Sequence, residues 1–172
     1  MRDSVQILTP DQVDRVIARL AYEVLERNRG SKNLCILGIV NAGAELAGVL
    51  AEAISEVEGN QVPNFDLDVS AYRDDRSSSS TPRESPEGIP DLTGKHVILV
   101  DDVLFTGRTV RAALDAVVSF GRPKTIQLAV LIDRGHREYP VQADYVGKTI
   151  PTKHRERVVV TIGDRITVDI EE

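Results

Sequence analysis

The sequence of 172 residues predicts an α/β fold in which a central, mostly parallel sheet carries helices on both faces. Two observations predict it. Segments with the apolar spacing of helices alternate with short apolar runs typical of buried strands. One such run, 97–100, leads directly into two carboxylates and a Thr-Gly-Arg-Thr turn that opens a helix. Because the chain shows no internal repeat or domain boundary, we expect one domain over residues 1–172 that ends in a C-terminal hairpin.

The first helix is predicted by its capping residues and its periodicity. Thr9, Pro10 and Gln12 supply an N-cap, a proline at the first helical position and a capping-box partner. Apolar residues then recur at helical spacing, and Gly30 is placed to end the helix. The same spacing predicts helices over 44–57 and 110–118.

Short apolar or alternating runs predict the strands. Besides 97–100, they lie at 34–40, 67–71, 125–132, 158–162 and 166–170. The run at 67–71 alternates with polar residues, which indicates a half-buried strand. The last two runs flank Gly163-Asp164, which predicts a two-residue hairpin turn.

Composition excludes several classes of protein. The chain is 41% apolar and 28% charged, which is ordinary for a soluble globular protein. The net charge of −6 argues against broad, nonspecific nucleic-acid binding, although it is compatible with a local basic patch. No apolar run approaches the roughly 20 residues of a membrane helix, and the start has no signal-peptide character. We therefore expect a cytoplasmic protein without a membrane partner.

The cysteine and histidines point to no metal site. Cys35 is the single cysteine and lies in an apolar run, so it is expected to be a buried structural thiol. His96, His136 and His154 are too scattered to predict a zinc site.

Residues 73–91 differ from the rest of the chain. Serine, proline and charged residues without apolar periodicity predict a flexible loop. A long loop of this kind inside a compact domain either covers a site as a lid or is a plain surface insertion.

The stretch from 97 to 109 carries the clearest chemistry. Parallel sheets bind ligands at the carboxyl ends of their strands, and a helix that begins near Thr106 or Gly107 would direct N–H groups at a phosphate. Thr106 and Thr109 add hydroxyl groups. Asp101 and Asp102 suit the hydroxyls of a ribose, or a Mg²⁺ that bridges sugar and phosphate. The stretch thus predicts a ribose 5-phosphate site; the alternative is an ordinary turn with two solvated aspartates.

This stretch resembles the phosphoribosyl-pyrophosphate (PRPP) loop of type I phosphoribosyltransferases. The resemblance implies the type I phosphoribosyltransferase fold and catalytic roles for Asp101 and Asp102, which hold the ribose and, indirectly with PRPP, Mg²⁺. The implied PRPP-binding and nucleotide-binding residues are Asp101, Asp102, Val103, Leu104, Phe105, Thr106, Gly107, Arg108 and Thr109.

Further segments resemble the bacterial pyrimidine-operon attenuation regulators, the PyrR family. They are 20–30, 72–75, 121–123, 127–138, 143–148 and 150–152. Members are uracil phosphoribosyltransferases that convert uracil and PRPP to UMP and pyrophosphate. They also respond to UMP or UTP and bind a hairpin in the leader mRNA of pyrimidine genes. The resemblance implies a homodimer or a dimer-based higher oligomer.

The same resemblance implies further site residues. Those of the pyrophosphate loop are Asn41, Ala42 and Gly43, and Arg73 belongs to the lid. Those near the base are Asp133, Arg134, Tyr145, Val146 and Lys148. Those that bind RNA are Arg19, Arg27, His136, Arg137 and Lys148.

The sequence departs from the family at two places. Asn41-Ala42 stands where relatives usually have Thr-Arg, and the loss of a bidentate phosphate donor predicts low or altered transferase activity. Ala18, Tyr22 and Gln142 stand where Thr, His and Arg are usual, which predicts weaker RNA binding. The alternative to a bifunctional protein is therefore a nucleotide-sensing RNA-binding regulator with little or no transferase activity. A transferase for another base is a third reading, against which Phe105 argues, because purine-type relatives often carry Asp there.

Overall fold

The computed structural model describes residues 4–74 and 88–172. Its elements, in chain order, are β1 (Ser4–Leu8), α1 (Pro10–Asn28), β2 (Leu34–Ile39), α2 (Ala42–Glu58), β3 (Asn64–Leu67), β4 (His96–Leu104), α3 (Arg108–Val117), β5 (Thr125–Asp133), β6 (Tyr145–Thr149), β7 (Arg157–Ile162) and β8 (Ile166–Glu171). Short 3-10 turns lie at Ser70–Tyr72 and Val118–Phe120.

A five-stranded parallel sheet, in the spatial order β3-β2-β4-β5-β6, forms the centre of the fold. Side chains alternate across it. Ile98 and Val100 of β4 pack with α1 and α2, whereas Val97 and Leu99 pack with α3. The antiparallel sheet β1-β8-β7 adds to the α1–α2 side. The predicted parallel sheet, the helices on both faces and the C-terminal hairpin are thus confirmed.

The N-terminal cap of α1 has the predicted form. The hydroxyl of Thr9 accepts the N–H of Gln12 at 3.4 Å, and the Gln12 side-chain oxygen accepts the N–H of Thr9 at 2.8 Å. Arg29, in a left-handed conformation, precedes Gly30 at the end of the helix. A buried face of six residues then attaches α1 to the sheet: Val13, Ile17, Leu20, Ala21, Val24 and Leu25.

The order of the strands reverses between β2 and β4. From β2 the chain continues through α2 to β3 on one side, and from β4 it continues through α3 to β5 on the other. At such a reversal the loops after the two strands diverge and leave a crevice, which is where open α/β sheets bind ligands. Here those loops are 40–41 and 105–107.

Two local predictions were wrong. The strand predicted over 67–71 lies at Asn64–Leu67, because Leu67 pairs with Ile39, the last residue of β2. The ladder ends there, and the Asp68 carboxylate turns the chain by accepting the N–H of Ser70. The hairpin turn has three residues, 163–165, since Ile162 pairs with Ile166.

Other boundaries differ less. Helix α2 begins at Ala42, two residues before the predicted start, while β1 and β6 were not predicted. Of the loop predicted over 73–91, residues 75–87 lie outside the described part of the chain. Cys35 is buried, as predicted, and burial raises the pKa of its thiol to about 11. No helix within 4–74 and 88–172 is long and apolar enough to cross a membrane.

Candidate active site

The acid pair lies near the carboxyl end of β4. Asp101 is buried and Asp102 half-buried. The Asp101 carboxylate accepts the N–H of Asp102 at 2.9 Å, and the Asp102 carboxylate accepts the N–H of Val103 at 2.8 Å. Each side chain is therefore fixed by the backbone of the next residue, so the pair is in place before any ligand binds.

Burial and the neighbouring Asp102 raise the pKa of Asp101 well above its ordinary value, and the charge of Arg73 partly opposes them. Apolar side chains of α1, α2 and β5 surround a cavity of about 20 Å³ beside Asp101, which explains its desolvation. Asp101 therefore has apolar side chains on one side and a second carboxylate on the other.

The turn before α3 is built around Gly107. With φ of +90°, this residue has a left-handed conformation, and a Cβ there would lie 2.4 Å from Cγ2 of Val141. Glycine thus meets two requirements of this turn, a left-handed backbone and the absence of a side chain against Val141. Helix α3 begins at Arg108, and the N–H groups of its first turn have no acceptor within the helix. The N–H of Arg108 donates to the Thr106 hydroxyl at 3.3 Å. These N–H groups and the hydroxyls of Thr106 and Thr109 lie together where the sequence predicts a phosphate site.

The side chain of Arg108 does not point into this donor set. Its Nε donates to Glu138 at 2.9 Å, and its Nη1 lies 3.2 Å from both carboxylate oxygens of Asp74. The Thr109 hydroxyl accepts Nη1 of Arg73 at 3.2 Å. The structure therefore brings Arg73, but not the guanidinium of Arg108, to the phosphate turn, residues 106–109.

The loop after β2 meets the acid pair from the other side of the crevice. A Cβ on Gly43 would lie 2.6 Å from the Val100 carbonyl oxygen and 3.2 Å from Cα of Asp101. The first turn of α2 therefore packs directly on β4, which glycine alone permits. Asn41 is exposed and Ala42 half-buried, so the predicted pyrophosphate loop borders the predicted ribose site.

A buried arginine supports the third wall of the crevice. Arg134 is 6% exposed and donates to the Thr152 hydroxyl at 3.0 Å and to the carbonyl oxygens of Lys153 and His154. Its guanidinium lies 4.1 Å from the centroid of the Phe105 ring. Desolvation lowers its pKa. Arg134 thus joins the loop after β6 to the loop after β4.

Next to it opens a pocket of about 460 Å³, lined by residues 133–137 and 149–152. Asp133 accepts Nη2 of Arg137 at 2.6 Å and the N–H of Gly135 at 3.0 Å. His136 packs edge-on to Phe105, with ring centroids 5.8 Å apart. The volume lies within the range of about 300–1,000 Å³ typical of small-molecule sites. The pocket thus combines the ring of His136 with charged and polar groups.

Comparisons with known proteins agree with this geometry. The phosphoribosyl transferase domain family matches residues 4–162. The Bifunctional protein PyrR of Chloroflexus aurantiacus is 50% identical over 98% of this chain and 94% of its own length. That of Deinococcus radiodurans is 51% identical over 96% of this chain and 92% of its own. The chain belongs to the PyrR family of phosphoribosyl transferases.

The fold extends beyond PyrR. A hypoxanthine phosphoribosyltransferase from Staphylococcus aureus superimposes with a TM-score of 0.68 at 22% identity, over 86% of this chain and 77% of that one. A hypoxanthine-guanine phosphoribosyltransferase from Bacillus anthracis gives a TM-score of 0.64 at 21% identity, over 86% of this chain and 83% of that one. The type I phosphoribosyltransferase fold is thereby confirmed.

Two of the residues predicted to lie near the base, Tyr145 and Val146, do not line this pocket. Tyr145 pairs with Ala129, so the parallel register places it well before the end of β5. It is buried in the core and donates to Gln127. Val146 packs on the α3 side of the sheet. Tyr145 and Val146 therefore lie outside the pocket around Arg134.

The five predicted RNA-binding residues divide between two places. Arg19 donates to the carbonyl oxygens of Val146 and Gly147, Arg27 pairs with Asp144 at 2.7 Å, and the exposed Lys148 lies on the same strand, β6. These three share the surface formed by α1 and β6, where the two arginines also attach the helix to the sheet. His136 and Arg137 belong to the pocket instead.

Sequence reasoning missed several supporting residues. Thr152 accepts a hydrogen bond from Arg134. Asp74 and Tyr139 are hydrogen-bonded to each other at 2.8 Å, and both contact the guanidinium of Arg108. No local pattern marks these side chains. The only signal was that Asp74 and Thr152 lie in segments that resemble the family, whereas Tyr139 lies just after one.

Proposed function

We propose that the protein is a bifunctional PyrR protein. It acts as a uracil phosphoribosyltransferase, and as a UMP- or UTP-responsive regulator that binds the leader mRNA of pyrimidine genes. The observation that carries the proposal is the meeting of three parts at one crevice. They are the donor-rich turn before α3, the acid pair Asp101–Asp102 and the pocket beside Phe105.

PRPP extends across these parts. The N–H groups of α3, Thr106 and Thr109 bind the 5′-phosphate, and the acid pair binds the ribose hydroxyls. The loop Asn41–Gly43 faces the pyrophosphate. Within the described residues, no group of three or more His, Cys, Asp or Glu is arranged to hold a metal alone. Two neighbouring carboxylates still fit a Mg²⁺ whose other ligands come from PRPP and water, where it would neutralise the charge of the leaving pyrophosphate.

The reaction exchanges two bonds at the anomeric carbon of the ribose. The bond from this carbon to a uracil nitrogen forms, and the bond to the pyrophosphate oxygen breaks with its electron pair leaving on pyrophosphate. The proton of the nitrogen passes to the released pyrophosphate or to water. Positive charge develops on the sugar, and the acid pair stabilises it. The pocket beside Phe105 orients the base and shields it from water, so that the uracil nitrogen approaches the anomeric carbon from the side opposite the pyrophosphate oxygen.

The regulatory function rests on the basic surface of α1 and β6. Arg19, Arg27 and Lys148 offer phosphate contacts there, although the two arginines must share their guanidinium groups with intramolecular partners. We expect RNA binding that is weak in the absence of nucleotide and strengthened by UMP. The compartment that fits a nascent-RNA regulator using PRPP is the cytoplasm, and the assembly is a homodimer or a higher oligomer of dimers.

The test measures uracil-dependent release of pyrophosphate from PRPP and Mg²⁺. It compares the protein with an Asn41→Thr/Ala42→Arg variant and uses Asp102→Asn as the control for contaminating activity. Turnover by the unaltered protein supports the enzyme. Turnover by the double variant alone supports the second candidate, a nucleotide-sensing regulator, which the alanine at position 42 favours. No turnover by either contradicts the transferase.

RNA binding is tested by mobility shift with a pyrimidine-leader hairpin at low salt, with and without UMP. Arg19→Gln should weaken the complex and flatten its salt dependence, whereas Arg155→Gln, on an exposed loop, should not. The absence of any shift with UMP would contradict the regulatory function. Light scattering on the same sample measures the size of the oligomer.

A further inference from the structure

Asp74, the last described residue before position 88, is held on two sides. Nη1 of Arg108 lies 3.2 Å from both of its carboxylate oxygens, and the hydroxyl of Tyr139 donates to Oδ2 at 2.8 Å. The Arg108 guanidinium also lies 5.0 Å from the centroid of the Tyr139 ring and pairs with Glu138. Each partner thus restrains the others, and the two donors lower the pKa of Asp74.

The two residues before Asp74 are also hydrogen-bonded to residues at the start of α3. Nη1 of Arg73 donates to the Thr109 hydroxyl at 3.2 Å, and Nη1 of Arg111 donates to the Tyr72 carbonyl oxygen at 3.5 Å. Three consecutive residues are therefore attached to one helical turn, the turn that the proposed function assigns to the 5′-phosphate.

The position of Arg73 depends on these contacts. Its guanidinium donates to the hydroxyl of Thr109, the last residue of the Thr-Gly-Arg-Thr turn. Arg73 thus lies at the turn that the proposed function assigns to the 5′-phosphate, where its charge would face that phosphate. Its backbone is directly continuous with Asp74, so displacement of Asp74 displaces Arg73.

We propose that Arg108 is a positioning residue for PRPP and not a phosphate ligand. With Tyr139 it holds Asp74, and Asp74 places Arg73 beside Thr109, where Arg73 meets the 5′-phosphate. This inference rests on the proposed function, since it concerns the same substrate. It assigns the arginine of the Thr-Gly-Arg-Thr turn a role that the turn by itself does not suggest.

UMP and PRPP share the 5′-phosphate, so the dissociation constants of both ligands should rise about fivefold in Asp74→Asn and in Arg108→Gln, the scale of an exposed ion-pair network. Tyr139→Phe, which keeps the Arg108–Asp74 pair, should raise them less. The kcat should change less than about twofold, because Arg73 is displaced and not removed. The Asp74→Asn/Arg108→Gln double variant should be no worse than either single variant, because both break one connection.

Arg165→Gln is the matched control. Arg165 also bridges two carboxylates, those of Asp11 and Asp14, but it does so at the β7–β8 turn. All of its constants should equal those of the unaltered protein.

Two results would overturn the inference. If Arg108→Gln still weakens UMP when Asp74 is already replaced by asparagine, the guanidinium binds the 5′-phosphate directly. If Asp74→Asn leaves PRPP binding unchanged, Asp74 positions nothing. Calorimetry of PRPP with the unaltered protein keeps these failures distinct from failure of the proposed function, which would appear as no PRPP binding at all.

Discussion

The guanidinium of Arg134 lies 4.1 Å from the centroid of the Phe105 ring, although the two residues belong to loops after different strands. Hydrogen bonds from the same guanidinium reach the Thr152 hydroxyl and two carbonyl oxygens of the loop after β6. One buried side chain therefore holds two walls of the pocket together. This makes Arg134 a structural support of the pocket, and not merely a charge within it.

Arg134→Met should lower the free energy of unfolding by about 2 kcal/mol, because several hydrogen bonds from a buried charged donor are lost while the side-chain length is kept. The loop over 152–154 should also lose its protection from hydrogen exchange. Denaturant unfolding measures the first effect. Arg155→Met, whose arginine is 74% exposed, should change stability by less than about 0.5 kcal/mol. Equal losses of unfolding free energy in the two variants would contradict a structural role for Arg134.

Asp101→Asn should stabilise the ligand-free protein and inactivate it. The pKa of Asp101 is raised above 3.8 in the folded state, so the folded state holds its proton more tightly than the unfolded chain. The stabilisation from this group is complete below about pH 4 and is lost as pH rises through the folded pKa. The asparagine variant does not lose stability in this way. Its free energy of unfolding, relative to that of the unaltered protein, should therefore increase as pH rises above about 4.

Thermal unfolding at several pH values tests the sign of this effect, and the activity of the same variant should fall by at least about a hundredfold. Asp102→Asn should also lose activity, which makes it the control for the loss of a carboxylate at the site. A stability difference between Asp101→Asn and the unaltered protein that shrinks with rising pH would contradict the effect of burial on Asp101.

Gly43→Ala should disrupt both packing and PRPP binding. The added Cβ would lie 2.6 Å from the Val100 carbonyl oxygen, and backbone must move to accommodate it. We expect a loss of about 1–3 kcal/mol in the free energy of unfolding. The KM of PRPP should also rise, because α2 and the preceding pyrophosphate loop move away from Asp101.

Gly48→Ala, in the same helix, is the matched control. There the nearest atom to a new Cβ is Nδ2 of Asn64 at 3.8 Å, so the alanine meets no clash. It should stabilise the protein by up to about 1 kcal/mol through helix propensity alone. If both alanines behave alike, close packing at Gly43 does not control the site.

The strand with its two carboxylates and the turn before α3 could be predicted from the sequence because they are local. A buried strand, two carboxylates and a glycine cap follow one another without interruption from 97 to 109, and each acts on its neighbours. The cap of α1 could be predicted for the same reason. The end of β3 could not, since it is set by the last residue of β2 and not by the alternation of Leu67 and Val69.

The supports of the site are distant in sequence and were not predicted. Asp74 meets Arg108 across 34 positions, and Arg134 meets Thr152 across 18. Charged residues of this kind ordinarily indicate a solvated surface, and only the fold decides which of them meet. Arg19 and Arg27 show the converse, because residues expected to face RNA also attach α1 to β6.

Phe105 should determine how well the base binds. Its ring is fixed by Arg134 on one side and by the edges of His136 and His154, so it is preorganised to pack against a planar ring. Phe105→Leu keeps apolar volume but loses the flat face, and the KM of uracil should rise about tenfold, within the range of stacking contributions. Phe105→Tyr keeps the face and should stay within about twofold. The KM of PRPP should be unchanged in both variants, because the phosphate turn and acid pair are intact. A rise in the KM of PRPP without a change for uracil would place Phe105 at the sugar instead of the base.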